Sequence, residues 1–501
     1  MNVGSILDYC RYLKGKLLGL CGSKRIFTVG DIVELTGANT ESVPNLDLKR
    51  KLTLFCCYHD WYVKDSVYVL YDEFDEINAD RAMRAGAYAI LSSRQVKDYP
   101  CLIVPNPKEA VLKISQLIWS KINIPTVVVA GSCGKTTTKL FVGAVLSEKY
   151  RTFHDFTNIN FYTYLAQLLQ RFDLKAERFV AEVDESQQKN TYYTSQLFQP
   201  KVACITNIDK SHIGALGGLQ NVIKSITEIE SGLPEDGIVV INDDDEQSHL
   251  ATFHHQVLRC SIKNRKADCY ADNIVEKNGH VFFDLTYMGT EKCQIELPVP
   301  GKHNVYNAMM AFIAGKYNGL TTEQIMRGLM KYRPTYYRQN LIKSILSGNR
   351  WIYADCYNAS ATSIAAALEV ANHMELPTGA SKVAVLGDIA EIEGFEEQTY
   401  TAVADCLNAS TIDVLITSGQ TSQMIWPRLK RHFEGAHAKS RRELYEMVAI
   451  QKRRAGFMLF KASHSMKYEE VIRKTFPLVY YFKIMLPTQL KYFFCWIIPT
   501  L

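Results

Sequence analysis

The chain has 501 residues, 47% hydrophobic and 22% charged, a balance that excludes a disordered chain, a collagen-like repeat and a disulfide-stapled miniprotein. Lys and Arg number 57 against 52 Asp and Glu, a net charge of +5, which is far from the concentrated basic stripe of a nucleic-acid binder. The thirteen cysteines are odd in number and form no Cys-x-x-Cys, which excludes a zinc knuckle or disulfide framework and fits a reducing, cytoplasmic setting.

At about 150 residues per domain the length allows about three domains. Residues 1–20 lack the basic, apolar and small-residue succession of a secretion signal; Ile6, Tyr9, Leu13 and Leu17 fall at helical spacing instead. Residues 1–122 read as a small α/β unit, with strand signals in SVYVLYDEF and KDYPCLIVPNP and helix signals in NADRAMRAGAYAILSS and PKEAVLKISQLIWSKI. TVVVA (126–130) is a continuous apolar run, as a strand buried on both faces requires. RFVAEVDE, KVACITNI and GIVVIND follow, separated by helical segments, so residues 123–338 predict a doubly wound parallel sheet. Beyond RPTYYRQ, the strands WIYADCYN, KVAVLGDI, DVLITSG and GFMLFKAS predict a second such sheet over 339–475. The aromatic-rich residues 476–501 have no charge-free run longer than ten, about half of the ~20 residues needed to span a bilayer. They are expected to dock on the protein's own surface, to make a weak membrane-interface or protein contact, or to be disordered.

Between the TVVVA strand and the next helix lies Gly131-Ser132-Cys133-Gly134-Lys135-Thr136-Thr137. Glycines there let backbone amides approach phosphate oxygens, and the helix start adds positive potential. Lys135 is placed to reach the terminal phosphates, and the Thr136 hydroxyl to reach Mg²⁺. The common phosphate-loop pattern needs glycine at 129, where the chain has Val129. A shorter loop remains, and a nucleotide site is expected. The acidic run Asp243-Asp244-Asp245-Glu246 reads as a solvated loop, and His59-Asp60 and His254-His255 as non-functional.

GSCGKTTTK resembles the nucleotide loop of the Mur ligase family, which joins amino acids to a carboxylate at the expense of ATP. AEVDE (181–185), ITNIDKSHIG (205–214), GKHNVYNAMMA (301–311) and Arg338 follow in the family's order. DCYNASATS (355–363), AVLGDIAEI (384–392) and LFKASHSM (459–466) look like the branch that adds D-alanyl-D-alanine to a uridine-linked muramoyl tripeptide. The resemblance implies an α/β protein of three domains, with a central P-loop ATPase parallel sheet and a Rossmann-like C-terminal domain. It also implies ATP and Mg²⁺, an acyl-phosphate intermediate, small-molecule carboxylate and amine substrates, and a place in peptidoglycan synthesis.

By the same resemblance Lys135, Glu182, His212 and Arg338 are the catalytic set. Thr136, Glu182 and His212 would hold metal. ATP would meet the loop, with Asn304 and Asn307 at the adenine, Arg338 at the phosphoryl group and Asp355 at the ribose or hinge. Asn158, Asn160, Tyr357, Asn358, Ser363, Lys461 and Ser463 would face the other substrates. The chain departs from the pattern in places. Ile226 stands where many relatives have a carbamylated lysine, the uridine-nucleotide contacts of the first domain keep only an outline, and Ser360-Ala361, Phe161, Ala462 and His464 replace other residues. These departures gather on the substrate side. They keep open a diverged ligase joining another acid and amine, or an ATP-binding partner or regulator without turnover.

Overall fold

In the computed structural model the described residues are 28–479, without 42, 44, 53, 57–63, 72–75, 155–159, 170–174, 209–215, 278, 336 and 345–349. They form three sheets. The first is parallel, with β1 (Leu54–Cys56), β2 (Ser66–Val69), β3 (Ala89–Ser92) and β4 (Cys101–Ile103) side by side in sequence order. Helix α1 (Pro107–Ser120) follows, opened by the Asn106 side chain accepting from the amides of Lys108 and Glu109, with Pro107 in the first turn where no amide is needed. Its Trp119 packs against Phe179 and Phe198, so the first sheet shares a core with the second.

The second sheet has nine strands. These are β5 (Thr126–Ala130), β6 (Thr152–His154), β7 (Arg178–Glu182), β8 (Val202–Ile205), β9 (Ile238–Asn242), β10 (Gln256–Ser261), β11 (Cys269–Lys277), β12 (His280–Tyr287) and β13 (Glu291–Leu297). Their order is β13–β12–β11–β10–β9–β8–β5–β7–β6, parallel from β11 to β6, with β12 and β13 antiparallel. The apolar TVVVA run is explained by its place. Val128 and Ala130 enter the core on one face, Val127 and Val129 the core on the other, as the two-residue period of a strand dictates.

From β5 the chain enters helix α2 (Lys135–Leu146), which lies between the strand and helices α4 (His303–Tyr317) and α5 (Thr322–Lys331); α3 (Leu219–Thr227) comes between β8 and β9. The third sheet holds β14 (Asn340–Ser344), β15 (Arg350–Ala354), β16 (Ser381–Gly387), β17 (Val414–Ser418), β18 (Glu434–Ala438) and β19 (Ala455–Lys461). Its order is β14–β15–β19–β16–β17–β18, all parallel except β14, and helix α6 (Ala361–Asn372) follows β15.

The strands expected from the sequence in all three units form. No strands are expected from the sequence in the β10–β13 region; β11 has one open side and lacks the continuous apolar run that marks β5. Residues 1–20, His59-Asp60 and the tail beyond 479 lie outside the described residues. Among the described residues no helix is long and apolar enough to cross a membrane.

Candidate active site

β5 lies between β7 and β8, where the winding of the sheet reverses, and the loop after it opens at the carboxyl ends of the strands, where doubly wound sheets bind ligands. Gly131 has φ 121° and Gly134 has φ 84°, values that disfavour any side chain. A Cβ on Gly131 would also strike the Thr206 hydroxyl and come within 2.8 Å of the Asn207 carbonyl. The residues after β8 thus shape the loop from outside. Asn207 accepts from the Ser132 amide through its carbonyl (3.0 Å) and from the Cys133 amide through Oδ1 (2.8 Å), and the Thr206 hydroxyl donates to the Cys133 carbonyl at 2.5 Å. The amides of Ser132 and Cys133, expected to cradle phosphate, are therefore engaged by Asn207. Those at the start of α2, from Gly134 to Thr137, have no intrahelical acceptor and point outward from the helix end.

Two lysines one turn apart on α2 face two carboxylates at the end of β7. Lys135 Nζ donates to Glu185 Oε2 at 2.8 Å, and Lys139 Nζ lies 3.2 Å from Glu182 Oε2. Lys139, Glu182 and Glu185 are almost wholly buried. Burial disfavours the Lys135 ammonium, but Glu185 and Asp184 outweigh it and hold the group above the ordinary lysine range. Burial likewise works against the charged Glu182, yet Lys139 and Arg338, with the Thr136 hydroxyl beside it, hold its carboxyl below the usual glutamate range. The Thr136 hydroxyl and the ionised Glu182 are hard oxygen donors at a helix start, a set that fits Mg²⁺. His212 and Asn158 lie outside the described residues. Asn160 turns its amide towards Glu182 Oε1 at 3.4 Å, while its carbonyl accepts from Asp184 N and Asn190 Nδ2.

The third sheet closes the site from the opposite side. The Arg338 guanidinium lies 3.9 Å from the centre of the Tyr357 ring, which itself stacks on His464. The Asp355 carboxylate accepts from the Gln339 amide (3.1 Å) and from Lys461 Nζ (2.7 Å), and Lys461 also donates to the Asn358 carbonyl. Lys461 is 2% exposed, so its charge is spent inside the third unit. Ser363 forms a capping box with Ser360 at the start of α6, and Ser463 accepts from the Ala390 amide. Cys133 Sγ reaches Ser360 Oγ at 3.6 Å, a direct contact of the phosphate loop with the third unit. Asn304 and Asn307 do fall on one face of α4, but each amide bonds within the protein: Asn307 to Thr138 and Asn304, Asn304 to Pro300 and Gln339.

Sequence reasoning passed over Lys139, Glu185 and Asn207. Lys139 is four residues after Lys135 and stands just ahead of the apolar run LFVGAVL, and a charge there is the signal that could have found it. Ile226 lies wholly buried in α3, Lys224 is exposed, and the neighbouring Ser225 hydroxyl donates to the Glu185 carbonyl. The acidic run is not a solvated loop. Asp243 accepts from Arg259 and Asn264, Asp244 from Ser261, Ile262 and Tyr306, and Asp245 from Ile208 and Ser248. Among the described residues no three metal-ligating side chains cluster.

The Mur ligase middle domain matches residues 129–315, and the Mur ligase, glutamate ligase domain matches residues 338–464. The chain is 30% identical to the UDP-N-acetylmuramoyl-tripeptide--D-alanyl-D-alanine ligase of Bacillus subtilis (strain 168) over 402 residues, 79% of this chain and 86% of that protein. It is 30% identical to the Escherichia coli (strain K12) ligase of the same name over 450 residues, 88% of this chain and 95% of that one. The fold is similar to a crystal structure of MurF from Acinetobacter baumannii, with TM-score 0.77 and 22% identity over 90% of this chain and 98% of the other. It is also similar to the MurF ligase from Thermotoga maritima in complex with ADP, with TM-score 0.71 and 20% identity over 84% of this chain and 96% of the other. Phosphate loop, paired carboxylates, three sheets and matched domains agree: the chain belongs to the Mur ligase family.

Proposed function

We propose that this protein is an ATP-dependent ligase that joins D-alanyl-D-alanine to UDP-N-acetylmuramoyl-tripeptide. The observation that carries the proposal is the meeting of charges from two units at one place. Lys135 and Lys139 come from α2 and Glu182 from β7, all in the second unit, and Arg338 from the joint to the third; Lys139 lies 3.2 Å from Glu182, and Lys139, Arg338 and Lys135 all favour its charged form. Such a site suits a reaction in which two anions must meet. A carboxylate oxygen of the tripeptide attacks the γ-phosphorus of ATP, and the bond to the β,γ-bridging oxygen breaks as ADP leaves. The amine of D-alanyl-D-alanine then attacks the acyl carbon and expels inorganic phosphate, losing a proton as the amide forms.

Lys135 leaves Glu185 for the transferred phosphoryl group, and Arg338 meets it from the other side; together they offset the charge that develops there. Thr136 and Glu182 would hold Mg²⁺, which would supply screening of the phosphate charge when bound. Tyr357 keeps Arg338 oriented by stacking, and Asn160 turns Glu182 towards the loop. The test is incubation of the purified protein with ATP, Mg²⁺, UDP-N-acetylmuramoyl-tripeptide and D-alanyl-D-alanine. Phosphate release that needs both substrates, with a product of the pentapeptide mass, is expected. Tight ATP binding with no such product would favour the second reading, a ligase for another acid and amine, to which the altered Ser360-Ala361 points.

A further inference from the structure

A line of hydrogen bonds runs from the helix of the phosphate loop to the third sheet. Thr138 Oγ1 donates to Asn307 Oδ1 (3.0 Å), Asn307 Nδ2 to Asn304 Oδ1 (3.0 Å), and Asn304 Nδ2 to Gln339 Oε1 (2.9 Å). The Gln339 amide donates to Asp355 Oδ1 (3.1 Å), and Asp355 Oδ2 accepts from Lys461 (2.7 Å). Thr138 and Asn304 are fully buried and Asn307 nearly so, so no water substitutes easily for a missing partner.

The direction of the line is determined by one backbone group. The Pro300 carbonyl can only accept, and Asn304 Nδ2 donates to it at 2.7 Å. Asn304 must therefore present its oxygen to Asn307, and Asn307 its oxygen to the Thr138 hydroxyl. Gln339 is the one member of the line at the joint between the second and third units. It has φ 54°, a left-handed conformation that costs free energy for any residue with a Cβ and persists only where its surroundings hold it. Both its side chain and its amide are engaged, one on each unit, and Arg338 is its neighbour in the chain.

We propose that Gln339 is a positioning residue, which couples the phosphate-loop helix through Thr138, Asn307 and Asn304 to Asp355 and Lys461 and thereby sets Arg338 over the site. For turnover this rests on the ligase reading; for nucleotide binding it does not. A nucleotide that orders the start of α2 also orders the third unit, and loosening either end is felt at the other. Coupling of this kind is established only when both ends are perturbed together.

The full-length protein with Gln339→Met, Thr138→Val and both changes tests it. Each variant keeps side-chain size and removes one acceptor or donor. Binding of the imido analogue of ATP with Mg²⁺ is measured by calorimetry, with melting temperature as the control for folding. Each single change is expected to weaken binding about 5- to 10-fold, and the double change no more than about 2-fold beyond the weaker single. Gln339→Gly, which removes the side chain but relieves the left-handed backbone, is expected to lose as much as Gln339→Met. Wild-type binding by Gln339→Met or Gln339→Gly, or effects of the two single changes that simply multiply, would overturn the proposal. In the ligation assay Gln339→Met lowers kcat about 10-fold or more with the KM for the acid substrate unchanged; a change in that KM alone overturns the link to Arg338. If the wild type makes no amide from the proposed substrates, the ligase reading fails, while the binding cycle still decides the coupling.

Discussion

The phosphate-loop lysine sits in an ion pair before any nucleotide arrives. Lys135 and Glu185 are held together with Glu185 fully buried, so removing the lysine strands a buried carboxylate. Lys135→Ala is expected to abolish ATP-dependent phosphate release and to cost about 3 kcal/mol of stability. Adding Glu185→Gln restores much of that stability in urea unfolding but none of the activity; recovery of activity by the double variant would refute the assignment of the loop. The sequence showed Lys135 directly, because glycines, lysine and threonine at that spacing have few other uses. Glu185 was hidden, since a carboxylate three residues past a strand looks like any loop acid until the strand order brings it back onto α2. Ile226 makes a second residue-scale prediction. With an isoleucine buried at the position where relatives have a carbamylated lysine, bicarbonate should leave the rate unchanged, and a clear rise with bicarbonate in the phosphate assay would contradict this.

At the scale of elements, the site depends on how closely α2 is packed. Phe141 of α2 stacks on Tyr332 with ring centres 3.9 Å apart. A Cβ on Gly328 of α5 would come within 2.5 Å of the Val145 Cα and 2.9 Å of the Ala144 carbonyl. Gly328→Ala should force the two helices apart at a cost of about 1–3 kcal/mol, read from urea unfolding. No helical pattern in the sequence distinguishes Gly328 from a tolerated glycine, because the requirement is set by α2, nearly 190 residues earlier in the chain.

The hairpin of β11 and β12 brings another element-scale effect. Glu276 of β11 faces Lys302, Glu369 and His373, and burial pushes its carboxyl up to about 7 although His373 opposes this. Because the folded value is above the unfolded one, the contribution to stability is present in full below pH ~4.5 and is lost as pH rises through ~7. Glu276→Gln should match the wild type near pH 4.5 and exceed it by about 1–3 kcal/mol at pH 8. A difference that does not vary with pH would show that the burial of Glu276 is relieved in solution.

For the whole molecule, the sequence made the three α/β units and the central strand readable, because buried parallel strands are unbroken apolar runs and few other structures need them. It could not show which residues meet across the joint. Gln339 and Asp355 flank the β14–β15 pair, but Lys461 comes 106 residues after Asp355, and only the strand order β14–β15–β19 sets all three beside α4. The same holds for the contact of Cys133 with Ser360: a residue that departs from the family pattern lies against the phosphate loop.

The central claim is that a carboxylate is activated by phosphoryl transfer before the amide forms. The most direct measurement uses UDP-N-acetylmuramoyl-tripeptide with ¹⁸O in the reacting carboxylate, together with ATP, Mg²⁺ and D-alanyl-D-alanine. Mass spectrometry then follows the label into the inorganic phosphate. Acyl-phosphate chemistry predicts one ¹⁸O in each phosphate released and the other retained in the amide carbonyl. Phosphate free of label, released at the same rate with or without the amine, would mean hydrolysis of ATP by water and would contradict the account.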